Sequence, residues 1–246
     1  MALAEDDFEI FLQPQLDLAT QDLIGAEALL RVKHGDLQGL SPAEYIPIAE
    51  ETGLIIEIGD WVFEESCRQL ASWHQQQLLP ASFKRLAVNI SPSQFNHPEF
   101  IEKIEYCLTH YAVPVKHLEI ELTESSLQES NHSVVDKLLA IKRLGVTIAI
   151  DDFGTGYSSL SRLKQFPIDL LKIDRSFVMD ICSNSSDLAI IKAIISMADA
   201  LEIDTLAEGI EQHEQLTLLN GLDCDYGQGF LFDKPMNTEQ FRKSLH

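Results

Sequence analysis

The sequence has few cysteines and no arrangement of them that does chemistry. Cys67, Cys107, Cys182 and Cys224 are scattered through 246 residues with no C-x-x-C pair. That excludes a zinc knuckle and a redox dithiol, and leaves reduced, mostly packed thiols. The eight histidines contain no H-E-x-x-H, and no G-x-x-x-x-G-K-[ST] loop occurs, so a histidine metalloprotease and a P-loop nucleotidase are set aside. Basic residues are scarce: 18 Lys and Arg stand against 39 Asp and Glu, a formal net charge of -21. Polymeric nucleic acid is therefore not an expected partner, because binding a polyphosphate backbone requires a basic stripe that releases counterions. A small anion stays compatible with a pocket made locally positive by cations, Arg31 and Lys172. The opening MALAEDDFEI lacks the basic and apolar regions of a signal peptide, and no stretch approaches the roughly 18 to 20 apolar residues of a membrane span. A cytoplasmic domain with no membrane contact of its own is the expectation.

With 45% hydrophobic residues the chain can bury a full core. No Pro/Ser/Gly-rich linker divides it, so residues 1–246 are expected to form one domain. Strand patterns at 8–13, 23–31, 85–90, 117–122, 146–151, 168–173 and 203–207, with a weaker one near 222–225, alternate with helical patterns. Leu188, Ile191, Ile194, Ile195, Ala198 and Leu201 lie on one helical stripe, and so do Phe63, Cys67, Leu70 and Trp73. Ser41-Pro42-Ala43-Glu44 and Ser91-Pro92-Ser93-Gln94 both read as capping boxes with proline in the first turn. Phe8 to Leu18 meets Leu23 to Arg31 across Thr20-Gln21-Asp22, too short for a helical crossover, which predicts a hairpin and one antiparallel strand.

Apolar stretch after apolar stretch runs into an acid, an amide or a lysine: Ala26-Glu27, Val88-Asn89, Ile120-Glu121, Ile150-Asp151-Asp152, Leu171-Lys172 and Ala207-Glu208. Ending buried strands in ionisable groups costs stability unless something binds there. In an open sheet only the strands at the switch point reach a ligand, whereas a closed barrel delivers every strand's C-terminal end to one face. The fold class expected is therefore α/β, a modified (β/α)8 TIM-like barrel with one antiparallel strand near the N-terminus. Oxygen ligands without Cys or His suit Mg2+, Mn2+ or Ca2+ better than zinc.

The string Gly25-Ala26-Glu27-Ala28-Leu29-Leu30-Arg31 resembles the signature of the EAL domain family, bacterial phosphodiesterases of cyclic di-GMP. The rest of that family's pattern follows in order: Gln13-Pro14, Asn89-Ile90-Ser91, Glu121-Leu122-Thr123-Glu124, Asp151-Asp152-Phe153-Gly154, Tyr157-Ser158-Ser159-Leu160, Lys172-Ile173-Asp174, Ala207-Glu208-Gly209-Ile210-Glu211 and Gln228-Gly229-Phe230. The resemblance implies hydrolysis of cyclic di-GMP to linear 5'-pGpG by a water that two divalent cations activate, Mg2+ or Mn2+. Calcium, with its looser coordination, is expected to bind and inhibit. The alternative is a catalytically silent cyclic di-GMP receptor that signals through a partner.

By the same resemblance, a first metal site maps to Glu27, Asn89, Glu121 and Asp151, and a second to Asp151, Asp152 and Glu208. Lys172, Glu208 and Asp152 are the catalytic candidates, with the general base open between Lys172 and Glu208. A plain reading of Lys172 is a strand-end lysine facing solvent. Arg31 shares a strand face with Glu27 and suits a phosphate oxygen, or else a structural salt bridge. Gln13 and Gln228 are candidate substrate contacts, or backbone hydrogen bonders at the barrel mouth. Glu124 resembles the loop-anchoring glutamate of the family, and Gly154 and Gly156 let the segment after Asp152 bend. The Gly-Thr-Gly there lacks the third glycine of a dinucleotide fingerprint. Val32 stands where the family usually has Trp. The short lead before Phe8 suggests a domain excised from a longer multidomain signalling protein, with a GGDEF or sensor domain or a membrane tether elsewhere, and the resemblance favours a homodimer.

Overall fold

The computed structural model describes residues 7–34, 41–127, 132–154 and 163–245. Among the described residues, eight strands close on themselves: β1 (Phe8–Asp17), β2 (Leu23–Val32), β3 (Arg85–Ile90), β4 (Leu118–Thr123), β5 (Thr147–Phe153), β6 (Leu170–Ile173), β7 (Asp204–Ala207) and β8 (Tyr226–Gly227). Strands β2 to β8 run parallel, and β1 runs antiparallel to both of its neighbours in the ring, β2 and β8. The expected hairpin is therefore present. Asp17 makes it turn, its Oδ1 accepting the backbone N–H groups of Ala19 and Thr20, each at 2.9 Å, as short acceptors do in tight turns. A two-residue strand, β9 (Met236–Asn237), lies outside the ring and pairs with Phe11 and Leu12 of β1.

The weak strand expected at 222–225 lies a little further on. Residues 222–225 are instead the exit from a helix, with Asp223 in the left-handed region and the Cys224 N–H closing back onto Leu219 O. Only Tyr226 and Gly227 then reach the ladder. Strand β1 continues four residues past its expected end because β8 and β2 pair along its length.

The outer layer comprises α1 (Pro42–Thr52), α2 (Ile55–Gln75), α3 (Pro92–Asn96), α4 (Phe100–His110), α5 (His132–Arg143), α6 (Arg175–Met179), α7 (Ser185–Ala200), α8 (His213–Asn220) and α9 (Thr238–Ser244). The predicted stripes face the barrel: Phe63, Cys67, Leu70 and Trp73 of α2, and Ile191, Ile194, Ile195 and Ala198 of α7, are all buried. At roughly 2 kcal/mol for each large side chain removed from water, these faces hold the helices to the sheet. The first capping box forms, with Glu44 accepting the Ser41 N–H at 2.8 Å. The second is half formed. Ser91 accepts the Gln94 N–H at 3.1 Å, but the Gln94 side chain turns away to donate to Asp60 at 3.0 Å. Gly59 leaves the space for it, since a Cβ there would lie 2.3 Å from Gln94 Oε1.

Inside the barrel, Ile24, Ala149, Leu170, Leu206 and Tyr226 form a separate apolar layer. At the N-terminal ends of the strands Arg85 donates to Glu119 at 3.1 Å, both side chains buried, with the guanidinium 4.5 Å from the Tyr226 ring centre. Burial pushes the Glu119 carboxyl up against the opposing pull of Arg85, so the pair holds only while both partners are present. Arg85→Met, which leaves a buried carboxyl unpaired, should destabilise the fold by about 3 kcal/mol or more, and Arg85→Met with Glu119→Leu should recover most of that loss. Urea unfolding of the two variants checks this; equal stability of the single and double variants would refute it.

Candidate active site at the carboxyl ends of the strands

The register brings the polar strand ends together. Asn89 lies opposite Glu121, and Asp151 opposite Thr123. Glu208 follows β7 directly, its N–H donating to Ile173 O at 3.1 Å. At the centre is Lys172, whose Nζ lies 2.8 Å from Glu121 Oε2, 2.8 Å from Glu208 Oε1, 3.1 Å from Asp151 Oδ1 and 3.6 Å from Glu27 Oε2. Lys172 is fully buried, which overturns the plain reading of a solvent-facing strand-end lysine. Burial alone would strip its proton, but Asp151, Glu121, Glu208 and Glu27 outweigh burial and hold the ammonium charged well above the usual lysine range.

Asp152 joins the cluster through a β-bulge. Between Ile150 and Phe153, β5 advances three residues while β6 advances two, and Asp152 takes φ 54°. Successive residues of a regular strand point to opposite faces; the extra residue and the left-handed backbone re-aim one of them. Ligand atoms of Asp151, Asp152 and Glu208 consequently lie within 4.8 Å of one another. One ammonium cannot neutralise so many carboxylates. Burial, and then the neighbouring charges of Asp151 and Asp174, push Asp152 up to about 6. Burial pushes Glu208 up to about 8 against the pull of Lys172, and pushes Glu121 well above its usual range.

Glu27 is clamped from both sides. Asn89 Nδ2 donates to its Oε1 at 2.7 Å, and Gln228 Nε2 donates to its Oε2 at 2.6 Å. Gln228 also donates to Gln13 Oε1 at 3.0 Å, and Gln13 Nε2 donates to the Asp233 carbonyl at 3.3 Å. Both glutamines are buried in this chain of amides beside the open cleft. Arg31 does line it, together with Asn89, Thr123, Asp151 and Asp152, in a volume of about 410 Å³. Its guanidinium donates to Leu30 O at 2.7 Å and sits 5.5 Å from the Phe11 ring centre, and no salt bridge to it occurs among the described residues. Glu124 opens a buried 3-10 turn, Glu124–Leu127, directly after β4. The loop it was expected to anchor, Gly156 and Tyr157-Ser158-Ser159-Leu160 included, lies outside the described residues. Val32 ends β2 opposite Phe8 and packs against the core.

Sequence reasoning missed two contributors. Tyr45 of α1 donates its hydroxyl to Leu30 O at 3.0 Å and, with Ile46, Ala49, Ile55, Ile58 and Val62, forms the apolar wall of the cleft; the proline-led capping box before it was the available signal. Gln15 is fully buried and donates to Gln228 Oε1 at 3.1 Å. Its alternation with Gln13 on β1 was visible but carried no chemistry by itself.

A TIM-like barrel with an acidic, lysine-centred mouth is the class of protein defined by this geometry. The sequence profile of the EAL domain matches residues 1–235, and the chain belongs to the EAL domain family. Among curated relatives, the signaling protein YkoW of Bacillus subtilis is 42% identical over 244 residues, covering 99% of this chain and 30% of its own length. The cyclic di-GMP phosphodiesterase NbdA of Pseudomonas aeruginosa is 38% identical over 235 residues, covering 96% of this chain and 30% of its own length. The chain thus spans under a third of these relatives. The solved structure of the PaMucR phosphodiesterase in complex with c-di-GMP superposes with a TM-score of 0.91 at 38% identity, covering 96% of this chain and 94% of that one. No helix among the described residues is long and apolar enough to cross a membrane.

The cluster has a signature in stability. A carboxyl raised by folding contributes stability that is complete below its unfolded value, near 4, and lost as pH rises through its folded value. With Asp152 at about 6 and Glu208 at about 8, and Lys172 charged throughout, stability in a chelating buffer should fall between pH 5 and 8. Urea midpoints across that window check the sign; a rising midpoint contradicts the cluster's electrostatics.

Proposed function

We propose that this domain hydrolyses cyclic di-GMP to linear 5'-pGpG with the help of two divalent cations. The observation that carries this reading is the excess of carboxylates around the buried Lys172. The donor set fits hard cations. It contains only oxygen ligands and the Asn89 amide, and Glu121 Oε1 is buried without a hydrogen-bond partner, at a cost that a cation would remove. Glu27, Asn89, Glu121 and Asp151 would hold one ion, and Asp151, Asp152 and Glu208 a second. Bound there, Mg2+ or Mn2+ supplies charge neutralisation at phosphorus and acidifies the attacking water.

The chain's own residues do the rest. Arg31, on the cleft wall, orients the phosphodiester through a charge-assisted hydrogen bond, and the apolar face of α1 and α2 excludes water from it. Water attacks phosphorus, the bond from phosphorus to the 3' oxygen breaks, and the departing oxygen takes a proton. Lys172, held as an ammonium among carboxylates, fits an anchor for the water and the developing charge. Glu208, at the mouth with its Oε1 2.8 Å from Lys172 Nζ, fits the group that accepts the water's proton. Glu124 keeps its assignment as the loop-anchoring residue. Gln13 and Gln228 keep their assignment as candidate substrate contacts and also hold Glu27, Gln228 directly and Gln13 through it.

The reading extends to a single-domain unit, residues 1–246, that works in the cytoplasm as a homodimer within a longer signalling protein. Support for the last point is that the relatives are longer and that a further one, 37% identical, is the bifunctional diguanylate cyclase/cyclic di-GMP phosphodiesterase MucR of Pseudomonas aeruginosa. Incubation with cyclic di-GMP and Mg2+ or Mn2+, followed by chromatography for pGpG, tests the activity. Tight binding without product would favour the silent-receptor reading.

Glu27→Ala should abolish pGpG formation while leaving far-UV circular dichroism near that of the parent, because it removes a ligand from a strand end and no apolar core. Substantial turnover by this variant would sink the ligand assignment. Lys172→Met keeps the stem and deletes the ammonium, and should lower single-turnover hydrolysis roughly a hundredfold or more, with substrate binding in calcium little changed. Unchanged turnover would demote Lys172 to a packing role.

A further inference from the structure

The amide chain behind Glu27 has only one consistent direction. A carboxylate oxygen only accepts, so the Gln228 atom that lies 2.6 Å from Glu27 Oε2 must be the nitrogen. That nitrogen spends its other proton on Gln13 Oε1 at 3.0 Å, and Gln13 in turn presents its nitrogen to the Asp233 carbonyl at 3.3 Å. The Gln228 oxygen therefore faces the other way, towards Gln15 Nε2 at 3.1 Å. Gln15 supplies the donor that this oxygen needs.

Gln15 does so at a cost. Its own Oε1 is buried without a hydrogen-bond partner, and the side chain is fully removed from solvent. On β1 it sits opposite Gly25, two residues before Glu27 along β2. An apolar side chain of similar length would fill this place without stranding a polar atom, so packing alone gives no reason for an amide.

We propose that Gln15 is a positioning residue of the cation site. By donating to Gln228 Oε1 it locks the Gln228 amide in the one orientation that presents N–H to Glu27, and so fixes the Glu27 carboxylate toward Lys172 and Asn89. Without that donor the Gln228 oxygen is left buried and unsatisfied, a cost that the Gln228 side chain relieves by shifting and so loosening its hold on Glu27. The inference rests on the reading that Glu27 holds a divalent cation, and it assigns the orientation of that ligand to a residue touching neither cation nor substrate.

Mn2+ affinity, measured by calorimetry on the intact chain, reads the effect independently of turnover. Gln15→Met, close in shape but unable to donate, should weaken Mn2+ binding about tenfold, the lower end of the range for residues that orient metal ligands. Gln15→Glu donates only while its carboxyl is protonated, so its Mn2+ affinity relative to the parent should fall as pH rises, a dependence that a packing role would not produce. Parent-like affinity in Gln15→Met, or a Gln15→Glu profile parallel to the parent, overturns the proposal. Should either variant fail to fold, the side-chain amide of Gln228 in the 15N-labelled parent decides: protons protected from exchange support the lock, and a freely exchanging amide overturns it. A parent that binds Mn2+ but forms no pGpG would refute the proposed function and leave this inference to the affinities; a parent that binds no Mn2+ refutes both.

Discussion

One ammonium, that of Lys172, is the constraint on which the mouth of this barrel depends. It is fully buried, and four carboxylates from four strands or strand ends lie within 3.6 Å of it. An isolated buried lysine would shed its proton, and isolated buried acids would take one up. Here each makes the other tolerable, but the balance is uneven, with more carboxylate than cation. Burial first, and the surplus of neighbouring carboxylates after it, raise the carboxyl pKa values at the mouth, and the surplus makes the cluster a receptor for hard cations rather than a closed salt bridge.

Backbone geometry makes the cluster possible. Parallel strands deliver Glu27, Asn89, Glu121, Asp151 and Lys172 to one end, but a regular strand cannot aim both Asp151 and Asp152 inward. The bulge in β5 and the positive φ of Asp152 achieve it locally. Gly209 serves the end of β7 in a related way. Its φ is +70°, and a Cβ there would lie 2.3 Å from the Arg175 side chain, so the chain can leave Glu208 sharply and turn away from the mouth.

The two ends of the barrel are chemically opposed, and the apolar layer of Ile24, Ala149, Leu170, Leu206 and Tyr226 separates them. At the far end Arg85 and Glu119 form a one-to-one pair beneath the Tyr226 ring. Charges are matched there and the pair is structural. At the mouth they are mismatched and a cleft of about 410 Å³ opens onto them. The same physics of buried charge therefore yields a self-compensated pair at one end and a binding demand at the other.

Much of this was legible in the sequence because its signals were local or periodic. The βα alternation, the helical stripes of α2 and α7, the turn after Asp17, and the run of apolar stretches ending in Glu27, Asn89, Glu121, Asp151, Lys172 and Glu208 each follow from side-chain chemistry acting over a few residues. The EAL family pattern added roles to those positions. What the chain order did not contain was distance. That Lys172 is buried at the centre rather than exposed at a rim, that Gln13 and Gln228 turn inward to hold Glu27, that Gln15 stands behind them, and that Tyr45 walls the cleft are contacts between residues far apart in sequence, such as the 213 positions that separate Gln15 from Gln228. The short β8 was misplaced for the same reason, since two residues carry no period and only pairing with β7 and β1 makes them a strand. Local pattern determines which residues end each strand. Barrel closure decides which of those ends meet, because it alone sets the register and depth at which charges are removed from water.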